Sequence, residues 1–289
     1  MKKYTTLLAA MLLLGATSQA QTIGTIEFKN GSRYEGPVVN NRPHGKGTLT
    51  FAGGDRYEGN FVNGHRTGKG LFVWTNGDSY EGDFVDGYHS GKGVLTWVNG
   101  NCYEGDFKDG KRTGKGIFTW ANGCSCEGSF VNGKCSGKGI FRWPNGNVYE
   151  GDFKDGRCTG KGIFTWANGN RYEGAFVNDA RTGKGSFYWA NGERYTGDFV
   201  DGERTGRGIY YWPNGSRYEG EFHDSAIIGN GIYYMANGDK LVGYFGRHKF
   251  EGTQYSANGE SQKTTMLSPF AIDHSGKKSA SGKKKAKKK

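Results

Sequence analysis

Long apolar runs are missing from this chain: after its first twenty residues no segment is apolar enough, for long enough, to cross a membrane as a helix. Hydrophobic residues make up only 34% of the 289, against 52 glycines. In a chain without pattern that balance would leave too little core to order it. Histidines are few, and His44, His65, His89, His223, His248 and His274 share no recurring position. Neither His-Glu-x-x-His nor Gly-x-Ser-x-Gly occurs. Gly64-His65-Arg66-Thr67-Gly68-Lys69-Gly70 superficially resembles a phosphate loop, but its spacing is wrong and Gly stands where Ser or Thr should follow the Lys. The pattern returns again and again along the chain, and is read as a turn. No catalytic, cofactor-binding or metal-binding residues are therefore expected, and the chain is not expected to be an enzyme.

Cysteine is also scarce, with five residues in all. An odd count leaves at least one free thiol or an intermolecular bond. Cys135 and Cys158 lie 23 positions apart, which two strands at ~4.8 Å spacing hold ~9 to 10 Å from each other. That exceeds the ~7 Å limit on Cα separation for a disulfide. Cys124 and Cys126, two apart on one expected strand, are also poorly placed. Cys124, Cys126 and Cys135 lack the second pair or histidine cluster that would complete a zinc site, so Cys126 is read as a small apolar replacement.

What the chain has in abundance is a period. Aligned tripeptides begin at Tyr34, Tyr57, Tyr80, Tyr103, Cys126, Tyr149, Tyr172, Tyr195, Tyr218 and Leu241, every 23 residues and without an insertion. A repeat this short cannot bury a core alone and must stack on its neighbours. Glycine and the aromatics, 15% of the chain, keep fixed places in it. Within a repeat, Tyr80, Gly82 and Phe84 alternate with Glu81 and Asp83, and Gly93, Leu95 and Trp97 alternate with Lys92, Val94 and Thr96, the period of two that marks a strand. Each repeat is therefore expected to be a pair of short antiparallel strands. A two-residue Asn-Gly turn would put Trp97 and Tyr103 on opposite faces. Pro144 in Trp143-Pro144-Asn145-Gly146 instead fits a type I turn followed by a left-handed glycine bulge, which sets Leu95 opposite Tyr103 and gathers the large rings on one side. Gly82, Gly93 and their equivalents point to that side, leaving room for a ring to lie over the backbone. The other face is expected to carry a glutamate row (Glu58, Glu81, Glu104, Glu150, Glu173) and a lysine row (Lys69, Lys92, Lys115, Lys138, Lys161, Lys184).

Tyr-Glu-Gly-x-Phe, then Gly-Lys-Gly, then Trp-x-Asn-Gly, at a spacing of 23, resembles the MORN repeat, the "membrane occupation and recognition nexus". The resemblance covers residues 24–259. It implies an all-β fold: an elongated, single-layer, twisted antiparallel sheet of stacked 23-residue hairpins. Ten repeats at ~4.8 Å per strand would run ~95 Å. The pattern breaks at Cys126, Thr196, Leu241-Val242 and in the first repeat, with Pro37 and Pro43. Irregular first and last repeats suit the capping of an open array.

Residues 1–20 carry Lys2 and Lys3, an apolar run from Leu7 to Leu14, and Ser18-Gln19-Ala20 with small residues where a signal peptidase reads. This segment is expected to be a signal peptide cut before Gln21, sending the mature chain to a periplasm, the cell envelope or the exterior. The net charge of +11 is concentrated at the ends. Lys2, Lys3 and a terminal cluster (Lys277, Lys278, Lys283, Lys284, Lys285, Lys287, Lys288 and Lys289) account for ten of these charges, leaving residues 21–276 near neutral. Residues 277–289 are read as a disordered Lys-rich tail, and residues 260–276, including Met266, Leu267, Phe270 and Ile272, as a cap or linker that covers the last sheet edge. An uncovered aromatic face of this extent implies a partner. The leading expectation is a scaffold that binds another protein or a second copy of itself, as a homo-oligomer, through Tyr57, Trp74, Tyr80, Trp97, Tyr103, Trp120, Trp143, Tyr149, Trp166, Tyr172 and Trp189. The alternative is peripheral binding to acidic membrane lipid or another anionic envelope polymer through the lysine tail and the sheet. Nucleic acid is not favoured, since no aromatic lies among those lysines to stack on bases.

Overall fold

The computed structural model describes residues 22–270, which form strands, turns and no helix. The signal-peptide reading of residues 1–20 and the lysine tail from Lys277 lie outside the described residues. The chain parts into two compact units, one up to Leu95 and one from Thr96. Within each, every recorded strand pairing is antiparallel, the all-β hairpin architecture that the period requires.

One repeat of the second unit shows how these residues build it. Strand Arg171–Val177 turns through Asn178 and Asp179, both at positive φ (48° and 72°), into strand Ala180–Tyr188. Two consecutive left-handed residues make the primed turn that matches strand twist. The partners run Val177↔Ala180, Phe176↔Arg181, Ala175↔Thr182, and then skip to Gly174↔Gly185 and Tyr172↔Phe187. Gly183 (φ +59°) and Lys184 form the bulge between them, and they pair instead with Phe199 and Asp198 of the next repeat. The Gly-x-x-x-Gly-Lys-Gly segment is thus not a turn, as its recurrence suggests: only its first glycine sits in one. The remainder is strand, as in His65–Val73, bent by a bulge at Gly68. Sequence parity conceals this feature, because an insertion of two residues returns every side chain to the same face.

The longer turn is as the prolines indicate. Gly146 N–H donates to Trp143 O and Trp143 N–H to Asn147 O, both at 3.0 Å, with Gly146 at φ +87°. Phe141 faces Tyr149 and Phe164 faces Tyr172 in consequence. Tyr57, Tyr80, Tyr103, Tyr149, Tyr172, Tyr195 and Tyr218 are fully buried. The Tyr172 ring lies over two glycines, and a Cβ on Gly174 or Gly185 would come within 2.4 Å of its hydroxyl. Phe176 and Phe199 flank that ring edge-on at 5.2 and 5.0 Å, a favoured aromatic geometry. Its hydroxyl donates to Ala175 O (3.2 Å), with Thr182 O also in range at 3.4 Å. Burial pushes its pKa up to about 12.

On the opposite face the lysines pair with aspartates of the following repeat, Lys69–Asp83, Lys138–Asp152 and Lys184–Asp198 at 2.6 to 2.9 Å. Glutamates pair with arginines two residues before them, as Arg171–Glu173 does at 2.9 Å. These exposed pairs contribute roughly a few tenths of a kcal/mol each. Cys126 is more than a small apolar replacement: it is disulfide-bonded to Cys135, with Cα atoms 6.8 Å apart. The tyrosine position of one strand and the second residue of the next strand converge on one face, a pairing that comparison of like positions overlooks. Cys102, Cys124 and Cys158 are free thiols.

Strand Ser261–Leu267 pairs along its whole length with Lys249–Tyr255. Beyond it, Ser268 N–H donates to His248 O and brings Phe270 back over the sheet.

Candidate functional site

Burial divides the expected aromatic site in two. Tyr57, Tyr80, Tyr103, Tyr149 and Tyr172 have no exposed surface, so they form the core and cannot touch a partner. The structural reason is the glycine pair beneath each ring, which lets the ring sink against the backbone. Trp74, Trp97, Trp120, Trp143, Trp166 and Trp189 are half-buried. In the second unit they alternate with Phe118, Phe141, Phe164, Phe187 and Tyr210 in a ladder from Trp97 to Trp212, ring centroids 4.4 to 5.5 Å apart. This ladder keeps part of its aromatic surface accessible from solvent.

Between neighbouring rungs lies a slot lined by four rings. The guanidinium of Arg181 sits 5.3 to 5.8 Å from the centroids of Trp166, Tyr172, Phe187 and Phe199, and its Nη2 donates to Gly202 O at 2.8 Å. Arg204 repeats this over Trp189, Tyr195, Tyr210 and Phe222, donating to Ser225 O. In the first unit Arg66 lies over Phe51, Tyr57, Phe72 and Phe84 and donates to Gly87 O at 2.7 Å. Arg112 covers Trp97, Tyr103 and Phe118. Attraction of a cation to ring faces, together with a carbonyl acceptor at the far end, explains why arginine suits the place. Desolvation pulls all four guanidinium pKa values below their ordinary range.

Other residues fill the same place elsewhere. His89 stacks on Tyr80 at 3.8 Å, and burial, with Arg66 nearby, lowers its pKa to about 4. Where the last repeat has Ile227, Phe270 enters from outside the array. It stacks on Trp212 at 5.4 Å and meets Tyr218, Tyr233 and Phe245 at 5.0 to 5.6 Å. Those four rings are the equivalents, 23 residues on, of the four beneath Arg204. Sequence reading missed these plugs, although a signal was present: the residue two places before the glycine of the bulge alternates among Arg, His and Cys from Arg66 to Arg204, while the residue after it is Ser or Thr each time.

The opposite face carries an open trough of about 950 Å³, lined among others by Lys184, Ser186, Arg207, Ile209 and Glu219. Its charges are mixed in sign, and no His, Cys, Asp and Glu group able to hold a metal occurs among the described residues. The lysines from Lys277 to Lys289 lie outside the described residues.

The sequence pattern of the MORN repeat matches nine consecutive segments, 34–56, 57–79, 80–102, 103–125, 126–148, 149–171, 172–194, 195–217 and 218–240. No curated protein matches the chain. Among solved structures, the TCP10 domain of Danio rerio CPAP is similar at 12% identity, covering 83% of this chain and 99% of that one, with a TM-score of 0.30. The SAS-4 TCP domain of Drosophila melanogaster, solved with a proline-rich motif of Ana2, shows 11% identity over 77% and 99%, with a TM-score of 0.28. A streptogramin B lyase structure gives 12% identity over 85% and 82%, with a TM-score of 0.15. Likenesses of this size say nothing about what this chain does.

Proposed function

The chain belongs to the MORN repeat family, and on that premise we propose that it is a non-catalytic repeat scaffold holding another protein, or a second copy of itself, along its tryptophan ladder. The observation that carries this reading is the half-burial of the tryptophans from Trp97 to Trp189 in the second unit, beside tyrosines that are wholly internal. Half-exposed indoles in a continuous row offer flat apolar area with an N–H at the edge, the chemistry enriched at protein interfaces. A photo-crosslinking residue in place of Trp120 should give discrete adducts with one protein or with a second copy. The same residue in place of Lys138, on the opposite face, should not. Equal adducts from the two positions would overturn the reading.

A second reading rests on charge. Eight lysines between Lys277 and Lys289 hold most of the net charge, and they suit an acidic lipid surface or another anionic polymer of the envelope. Salt-sensitive sedimentation with acidic liposomes that disappears on deletion of residues 277–289 would favour it. Export accompanies either reading, supported by the leader composition and by the Cys126–Cys135 disulfide, a bond at home in oxidising compartments.

A further inference from the structure

Two repeats in the middle of the ladder lack the residue that plugs the slot. Cys135 and Cys158 stand where Arg66, Arg112, Arg181 and Arg204 stand elsewhere. The rings beneath register the loss. Phe72, Phe118, Phe187 and Tyr210, which lie under an arginine, are 7 to 9% exposed, whereas Phe141 and Phe164 are only half-buried. Cys135 is committed to its disulfide with Cys126. The slot at Cys158 keeps all four rings, Trp143, Tyr149, Phe164 and Phe176, with only a thiol where a guanidinium would lie.

The mouth of that slot differs too. In the regular repeats the arginine donates to the carbonyl of the second turn residue of the next hairpin, Gly87 or Gly202. The equivalent of those glycines here is Asp179, at φ +72°. Its carboxylate accepts from Cys158 N–H at 2.7 Å, and burial, together with that carboxylate, pushes the Cys158 thiol up to about 12. A negative charge thus stands beside the one four-ring slot in the described residues whose own repeat supplies only a free thiol.

We propose that the slot formed by Trp143, Tyr149, Phe164, Phe176 and Asp179 receives an arginine side chain from a partner protein. The inference rests on the scaffold reading and names the chemistry of the partner. Arg66, Arg181 and Arg204 of this same chain show that a guanidinium fits among four such rings with a carbonyl to accept from it. Phe270 shows that a side chain from outside the array can occupy such a slot. Asp179 selects the cation over the phenyl ring, because a carboxylate beside a guanidinium gives a charge-assisted hydrogen bond that an apolar guest would forfeit.

The test uses the full chain, nitrogen-15 labelled, and end-capped peptides Gly-Gly-X-Gly-Gly with X as Arg, Lys or Phe. The Arg peptide should shift the Trp143 indole N–H resonance and saturate in the millimolar range, as suits a single side chain. The Lys and Phe peptides should bind at least roughly fivefold more weakly, since neither offers a planar, forked cation. Cys158→Arg should abolish the shift by filling the slot from within. Asp179→Asn, which keeps an acceptor for Cys158 N–H but removes the charge, should weaken binding severalfold. Cys158→Ala should bind as the native chain does, which separates occupancy from misfolding. No shift with the Arg peptide, a shift that survives Cys158→Arg, or tighter binding of the Phe peptide would overturn the proposal. Adducts from position 120 that persist while the Arg peptide leaves Trp143 unmoved would sink this inference and leave the scaffold reading standing. A saturable Trp143 shift without such adducts would sink the scaffold reading and leave a slot that takes arginine but no partner protein to supply it.

Discussion

Residues 172–217 and residues 126–171 are built on one plan and finished differently. In the first stretch Arg181 and Arg204 close the slots, and the rings beneath are buried. In the second, a disulfide occupies one slot and a lone thiol the next, and Phe141 and Phe164 are only half-buried where Phe187 and Tyr210 are buried. The strand pairings scarcely change between the two, with Gly162↔Gly174 matched by Gly185↔Gly197. The sheet is therefore held by the part of the repeat that both share, tyrosine over paired glycines. The variable position decides how much aromatic surface is left for a partner.

The largest expected effect strikes the shared part. In Gly162→Val a side chain would meet the Tyr149 ring and hydroxyl at about 2.5 Å. The ring would be expelled from the sheet, at a cost of about 3 to 5 kcal/mol. Gly208→Val, beneath Tyr195, should cost as much in the regular stretch. Unequal losses by denaturant unfolding would mean that the two stretches do not share one core. Next comes the bond confined to residues 126–171. Its two cysteines are nine residues apart, a loop whose closure contributes about 2 to 3 kcal/mol. Reduction should lower the melting temperature of the native chain and leave a Cys126→Ala, Cys135→Ala double variant unmoved.

Arg204→Ala should turn a regular slot into an open one, at a cost of about 1 to 3 kcal/mol, from the lost ring contacts and the unanswered Ser225 carbonyl. Near-UV circular dichroism of the tryptophans would report it, and no change there would show that the arginine lies outside the slot in solution. The smallest effect concerns His89, the imidazole plug of the first unit. Burial and Arg66 hold it near 4 when folded, below its ordinary 6.5. The unfolded chain then takes up the proton more readily, so stability is full above about 6.5 and falls as the pH drops towards about 4. His89→Phe should flatten the stability profile in that window. An unchanged profile would assign the dependence to other groups.

Much of this was legible from residue order alone, and what escaped had physical causes. Pro144 and Gly146 disclosed the turn, because one presets its φ and the other tolerates a left-handed backbone. Gly82 and Gly93 disclosed which face receives the rings. The bulge at Gly183 stayed hidden, since a two-residue insertion leaves alternation intact. The sinking of Tyr172 to full burial needed the depth of the glycine pair, which a one-dimensional pattern does not contain. Arg204 carried no sign of its burial because its polar partner, Ser225 O, lies 21 positions away. Cys126 and Cys135 looked unrelated because they hold different places in the repeat. Phe270 comes from outside the period altogether.

Hydroxyl-radical footprinting of the full chain, read by mass spectrometry residue by residue, tests the central claim most directly. Phe141 and Phe164 should be oxidised several times faster than Phe187, and Cys158→Arg should slow Phe164 to the rate of Phe187. Equal rates in the two stretches of the native chain, or rates that Cys158→Arg leaves unchanged, would contradict the claim that the slot residue governs access to the ladder.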